Sequence, residues 1–211
     1  MNWIGKTLCS FWKEKTVVDP SVRPLNYTAA GVLFTDGESV LAGLQADSND
    51  TKSLSGFGGA KEPGETYMDT SLRELVEEFF DSIDVPKKLI ETLKQKVRPY
   101  YIYQVDTYII VVYTFKQLRT ILRIVAKSGL QSRLYHTIPL EVHELVLYRQ
   151  PMTDCEIFTI TMIPITLEYP YASMVSKDFQ MDLKLYKKIL DARQGSICSM
   201  KHRSKSESND K

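Results

Sequence analysis

The stretch from Gly56 to Phe80 constrains this chain more than any other part of it. Gly56-Phe57-Gly58-Gly59 forms a glycine-rich turn and Pro63-Gly64 a second one, and helical periodicity follows as far as about Phe80. Thr66 and Asp69, three residues apart, make a capping-box-like pair that opens the helix. On an α-helix, Leu72, Leu75, Val76 and Phe79 fall on one side and must bury against another layer. Glu74, Glu77 and Glu78, related by i,i+3 and i,i+4, share the other side. Three like charges packed together repel, and Arg73, at the edge of their face, is the one cation beside them. A hard divalent cation with oxygen ligands fits the cluster directly. A solvated acidic helix face is the plainer alternative.

The flanking segments predict an α/β domain over residues 25–194. Ala29–Phe34 and Ser39–Ala42 flank an Asp36-Gly37 turn and read as a hairpin. Asp47–Ser53 reads as a loop. A second helix starts near Pro86, with Leu89, Ile90 and Leu93 on one face. Tyr100–Val105 and Tyr108–Phe115 are β-rich, as are Leu145–Tyr148 and Ile157–Leu167. A last helix spans about Phe179 to Ala192. Residues 195–211 form a polar tail rich in serine and lysine, expected to be disordered.

Between Asp106 and Glu141 there is no acidic residue. Within that stretch Leu118, Ile121, Leu122 and Val125 make an apolar stripe, while Lys116, Arg119, Arg123 and Lys127 occupy other faces. The pattern is a basic amphipathic helix, an insertion covering about 116–133 between strands. Residues 1–24 are an N-terminal extension. Within it Trp3, Ile4, Leu8, Phe11 and Trp12 recur at helical spacing among lysines. Residues 1–15 therefore suit a peripheral contact with a membrane or a partner, or docking on the domain's own core.

Composition sets the remaining bounds. A hydrophobic fraction of 43% allows a sizeable core, and a net charge of +1 leaves any affinity for nucleic acid or membrane to local patches. Cys9, Cys155 and Cys198 show no metal-ligand spacing and suit reduced thiols. No apolar run is long enough to span a bilayer, and no secretory signal is evident. The reading is a soluble cytoplasmic protein.

Gly59, Glu65, Arg73, Glu74, Leu75, Glu77 and Glu78 stand at the spacing of the Nudix box, so the chain resembles the Nudix hydrolases over residues 59–81. Seven such matches arise by chance on the order of one time in a million, which is why the resemblance outweighs a bare acidic patch. The box departs at its end, where Phe80 stands for glycine and Asp81 for an aliphatic residue. The Ser-Gly-Phe-Gly-Gly run and the Glu-Glu-Phe-Phe ending are also a little similar to Nudix proteins of large DNA viruses, some of which decap messenger RNA. For a viral source the compartment would be the host cytoplasm.

The resemblance implies an α/β/α sandwich with a mixed sheet and a pyrophosphohydrolase that requires Mg²⁺ or Mn²⁺. Its substrate would be a nucleoside diphosphate linked to another group. By the same likeness Glu74, Glu77 and Glu78 are metal ligands, helped by the carbonyl of Gly58. Arg73 and Glu65 pair to orient the helix, and Glu74 or Glu141 acts as general base. Glu141 is preferred to Glu144 because strand alternation would place the two on different sides. Arg119, Arg123 and Lys127, together with the Lys-rich tail, would suit the phosphate backbone of a capped RNA. Two alternatives are a housekeeping hydrolase of free dinucleotides or nucleotide sugars and a nucleotide-binding module without turnover.

Overall fold

The computed structural model describes residues 17–18, 26–46, 51–152 and 154–206, with side chains for 26–46, 51–152 and 154–193. The amphipathic stretch 1–15 and the end of the tail, 207–211, lie outside the described residues.

The centre of the molecule is β2 (Ala29–Thr35), whose apolar residues serve both faces. Ala30, Val32 and Phe34 enter one core and Leu33 the other, as strand alternation requires when layers cover both sides. The β2–β3 hairpin turns at Asp36-Gly37, where Asp36 Oδ1 accepts from the amides of Glu38 and Ser39. β3 (Ser39–Ala46) then leaves β2 to pair antiparallel with β4 (Lys52–Ser55) and β8 (Ile157–Pro164). β2 itself pairs in parallel with β7 (Tyr108–Thr114) and antiparallel with β5 (Phe57–Ala60). β6 (Tyr101–Val105) lies antiparallel to β7, and the short β1 (Val17–Val18) adds a parallel edge to β6. The sheet is thus mixed.

On one face lie α1 (Tyr67–Phe80), α2 (Lys87–Lys96), α3 (Phe115–Ser128) and α4 (Val142–Leu147). Leu72, Leu75, Val76 and Phe79 of α1 are fully buried there against Phe34 and Phe57. After the short α5 (Tyr171–Met174), α6 (Lys177–Ser206) covers the other face through Phe179, Leu183 and Tyr186. The result is an α/β/α sandwich.

Three segments depart from the sequence reading. Leu145–Tyr148, expected as a strand, falls in helix α4 and its C-terminal cap. Its four apolar or aromatic residues carry no alternation, and the turn that starts at Glu141 is closed by Glu144, whose Oε2 accepts from the amides of Leu140 and Glu141. Lys52–Ser55, partly assigned to a loop, is strand β4. Helix α6 runs past Ala192 to Ser206, through most of the segment read as a polar tail. The basic segment is a helix, α3. It is built into the domain, with Leu118, Ile121, Leu122 and Val125 in the main core.

Candidate carboxylate site

The site grows from the packing of β5 against α1. Thr66 caps α1, with its Oγ1 accepting from the Asp69 amide while Asp69 Oδ2 accepts from the Thr66 amide. This fixes where the helix starts, and hence which residues face the strand. Gly59 is the contact point: a Cβ there would stand 2.5 Å from the carboxyl carbon of Glu74. Gly58 has φ +150, and its Cβ would meet both the Cα of Gly31 and the hydroxyl of Tyr108 at 2.4 Å. Glycine at 59 lets β5 come this close to the helix, and glycine at 58 lets the same strand press against β2 and the Tyr108 hydroxyl.

Arg73 organises the acids around it. Its Nε donates to Glu65 Oε1 at 2.7 Å, and its Nη2 to Glu65 Oε2 at 3.2 Å and to the Ala60 carbonyl at 2.9 Å. Its Nη1 donates to Glu74 Oε1 at 2.9 Å and to Glu77 Oε2 at 2.8 Å. Glu65 is itself held by the Glu62 amide and the Thr70 hydroxyl. One guanidinium therefore faces three carboxylates, and the pairing with Glu65 foremost holds its proton more tightly than in water.

Glu78 is different. It lies at the edge of the helix facing the core, 5% exposed, and is not on an open surface. The Gly58 amide bonds its carboxylate, but its Oε2 is buried with no hydrogen-bond partner. Burial first, and then the charges of Glu156 and Glu74, push its carboxyl well above the usual range. Burial also raises Glu74 and Glu77, against the pull of Arg73. A stranded buried oxygen of this kind is costly unless a proton or a cation meets it.

The donor set fits a hard divalent ion in kind and in charge: Glu74, Glu77 and Glu78 supply oxygens, and Arg73 takes only one oxygen of Glu74 and one of Glu77. As the side chains stand among the described residues, no three acidic, histidine or cysteine groups converge on one ion-sized point. Gly58 lies beside the set, donating its amide to Glu78.

A cavity of about 280 Å³ opens next to Glu77 and Glu78, walled by Asp81, Ser82, Ile83, Cys155, Glu156 and Ile157. Glu156, exposed at the entry to β8, is an acid that the sequence reading missed, and it acts on both Glu74 and Glu78. It lies almost 80 positions from the box, and only the β3–β8 pairing brings it back.

Arg149 was also missed. Its buried guanidinium donates to the carbonyls of Glu78, Phe79 and Ile157 at 3.0, 2.8 and 2.6 Å. It thereby ties the last turn of α1 to β8. Ser132 donates to the Phe80 carbonyl, Asp81 adopts the left-handed conformation at φ +50, and Arg133 pairs with Asp81 at 2.9 Å. This is how the helix terminates with Phe80 and Asp81 at the end of the box.

Glu141 does not join this group. Its carboxylate is held by Arg119 Nε at 2.8 Å and Arg123 Nη2 at 3.1 Å, on the outer side of α3. Glu141 and Glu144 occupy one helical turn, so strand alternation does not separate them. Lys127 lies exposed at the end of the same helix.

No protein-family model matches the chain, and no curated protein matches it. Solved structures to which it is similar include a Francisella tularensis bifunctional NMN adenylyltransferase/ADP ribose pyrophosphatase complexed with AMP and manganese. That match has 14% identity and a TM-score of 0.40; it covers 87% of this chain, which spans 45% of that protein's length. A Nudix hydrolase from Nitrosomonas europaea has 14% identity and a TM-score of 0.39, with 82% of this chain and 88% of that one covered. A Nudix-family hydrolase from Clostridium perfringens has 15% identity and a TM-score of 0.34, with 79% and 98% covered.

Proposed function

We propose that this protein is a Nudix-type pyrophosphohydrolase that works with Mg²⁺ or Mn²⁺ on a nucleoside diphosphate linked to another group. The observation that carries the reading is the unpartnered, buried Glu78 Oε2 beside Glu74, Glu77 and Glu156, a set of acids that one arginine does not balance. Glu74, Glu77 and Glu78 would hold the ion, with Gly58 alongside. When bound, a divalent ion neutralises charge developing on a phosphate and lowers the pKa of water.

The protein's own residues supply the rest. Arg73, fixed by Glu65 and the Ala60 carbonyl, orients the carboxyls of Glu74 and Glu77. Arg149 holds the last turn of α1, and with it the backbone of Glu78. The proton of the attacking water passes to Glu74 or to Glu156 on the cavity wall, because Glu141 is engaged by two arginines. Within this class of substrate, the basic outer face of α3 favours the capped end of an RNA over free dinucleotides and nucleotide sugars.

The test is a substrate panel with Mg²⁺ or Mn²⁺: capped RNA, dinucleoside polyphosphates, nucleotide sugars and deoxynucleotides, with products identified. Cleavage at a pyrophosphate bond that stops with chelator is the expected result. Nucleotide binding without cleavage of any substrate would overturn the reading in favour of a binding module.

A further inference from the structure

The outer face of α3 has no part in the carboxylate site, and its charges are arranged with some regularity. Lys116, Arg119, Arg123 and Lys127 project opposite the buried stripe Leu118, Ile121, Leu122 and Val125, and all four are exposed. At about 100° and 1.5 Å per residue they form one cationic row roughly 16 Å long. The helix contains no acid. At its start, Gln117 donates to the carbonyl of Arg98 just beyond α2, which brings the exposed Lys96 and Arg98 to the same end. Lys96, Arg98, Lys116 and Lys127 have no ion-pair partner within 4 Å among the described residues. Among the described residues, the one carboxylate paired with the row is Glu141, bridging Arg119 and Arg123.

We propose that this row binds the phosphate backbone of a nucleic-acid strand, and that Glu141 is a built-in competitor occupying two of its phosphate positions. Linear, evenly stepped cations match a chain of phosphates, and the exposed arginine pair can exchange one anion for another at little cost. A lipid surface fits less well. The apolar side of α3 is spent in the core, and no large apolar residue of α2 or α3 is exposed to enter a bilayer. The proposal extends the hydrolase reading by naming what one side of the scissile bond is attached to. It rests on that reading only for this connection, since the binding itself needs neither metal nor turnover.

The experiment measures binding of a labelled single-stranded RNA of about 20 nucleotides by fluorescence anisotropy, in chelator, across a salt series. Wild type should bind with an affinity that falls steeply with salt. Arg119→Glu/Arg123→Glu/Lys127→Glu should lose at least about tenfold in affinity, and its salt slope should flatten by about 0.7 for each phosphate that is no longer neutralised. Glu141→Gln should bind about threefold more tightly than wild type, with a steeper slope. A thermal melt checks the fold of each variant. Lys116→Glu/Lys127→Glu, which breaks no ion pair among the described residues, repeats the test should the triple variant not fold.

Equal affinity and slope in the charge-reversed variants, or no gain in Glu141→Gln, would overturn the proposal. So would row-dependent binding to phosphatidylserine vesicles without RNA binding. Failure of the substrate panel together with normal RNA binding would overturn the hydrolase reading alone.

Discussion

Helices α1 and α3 start alike and end in opposite roles. Each opens with a capping box, Thr66 with Asp69 in one and Thr114 with Gln117 in the other, and on the same side of the sheet α1 buries five apolar residues and α3 four. Both carry charges of largely one sign on the remaining surface. On α1 those charges are drawn inward against β5 and β8, so that Glu78 is buried and Glu74 is 14% exposed along its side chain. On α3 they stand in solvent, with Arg119 and Arg123 more than half exposed. The difference lies in what packs against the charged side. Strands with glycine at the contact can desolvate carboxylates without displacing them, and desolvated like charges gain reactivity and affinity for a counter-ion. Solvated charges remain a surface, useful for long and weakly specific contacts.

The largest effect should come from neutralising the buried end of this contrast. Glu77→Gln and Glu78→Gln should each lower turnover by roughly two to three orders of magnitude. Glu78→Gln should nevertheless melt at or above wild type in metal-free buffer, because a neutral amide costs less to bury than a carboxylate that must either keep its charge or take up a proton. Near-normal rates in either variant would show that the acids of α1 are no more functional than a solvated face.

Arg149→Met comes next. It leaves three buried carbonyls without their donor, and urea unfolding should show a loss of about 3 kcal/mol. A change of under about 1 kcal/mol would mean that the last turn of α1 is held by its apolar side alone.

Millimolar Mg²⁺ or Mn²⁺ should raise the melting temperature, equivalent to about 1–3 kcal/mol at saturating metal, and the rise should vanish in Glu78→Gln. An equal rise in both proteins would place the ion elsewhere.

Asp182 on α6 shows what burial does without a cluster of functional neighbours. Burial, and then the charge of Asp178, pushes its carboxyl up to about 7. A folded value above the unfolded one means that the folded state holds this proton more tightly. The resulting stability is complete below about pH 4 and is lost as pH rises toward 7. Asp182→Asn should therefore stabilise the protein by about 2 kcal/mol at pH 8 and leave it unchanged near pH 3.5, read from melts at the two pH values. The smallest effect belongs to the exposed helix: Arg119→Ala should shift stability by no more than about 0.5 kcal/mol.

Local chemistry in the sequence was enough for α1, its cap, the β2–β3 hairpin and the core stripes of α1 and α3. Periodicity, caps and turn residues act over a few positions, and they read the same in any fold that buries the apolar side. Tertiary structure alone decided that Glu78 is buried while Glu77 is not, because that depends on how closely β5 and β8 approach one helix. It also brought Glu156 to the acids and Arg149 to the end of α1, through a strand pairing that spans most of the chain. And it moved Glu141 to the basic helix. The segment that looked like a strand had apolar residues without alternation, and the fold had room for a helix there. Charges distant in sequence have no local signal for their partners, since Coulomb attraction selects among neighbours only after packing has chosen them.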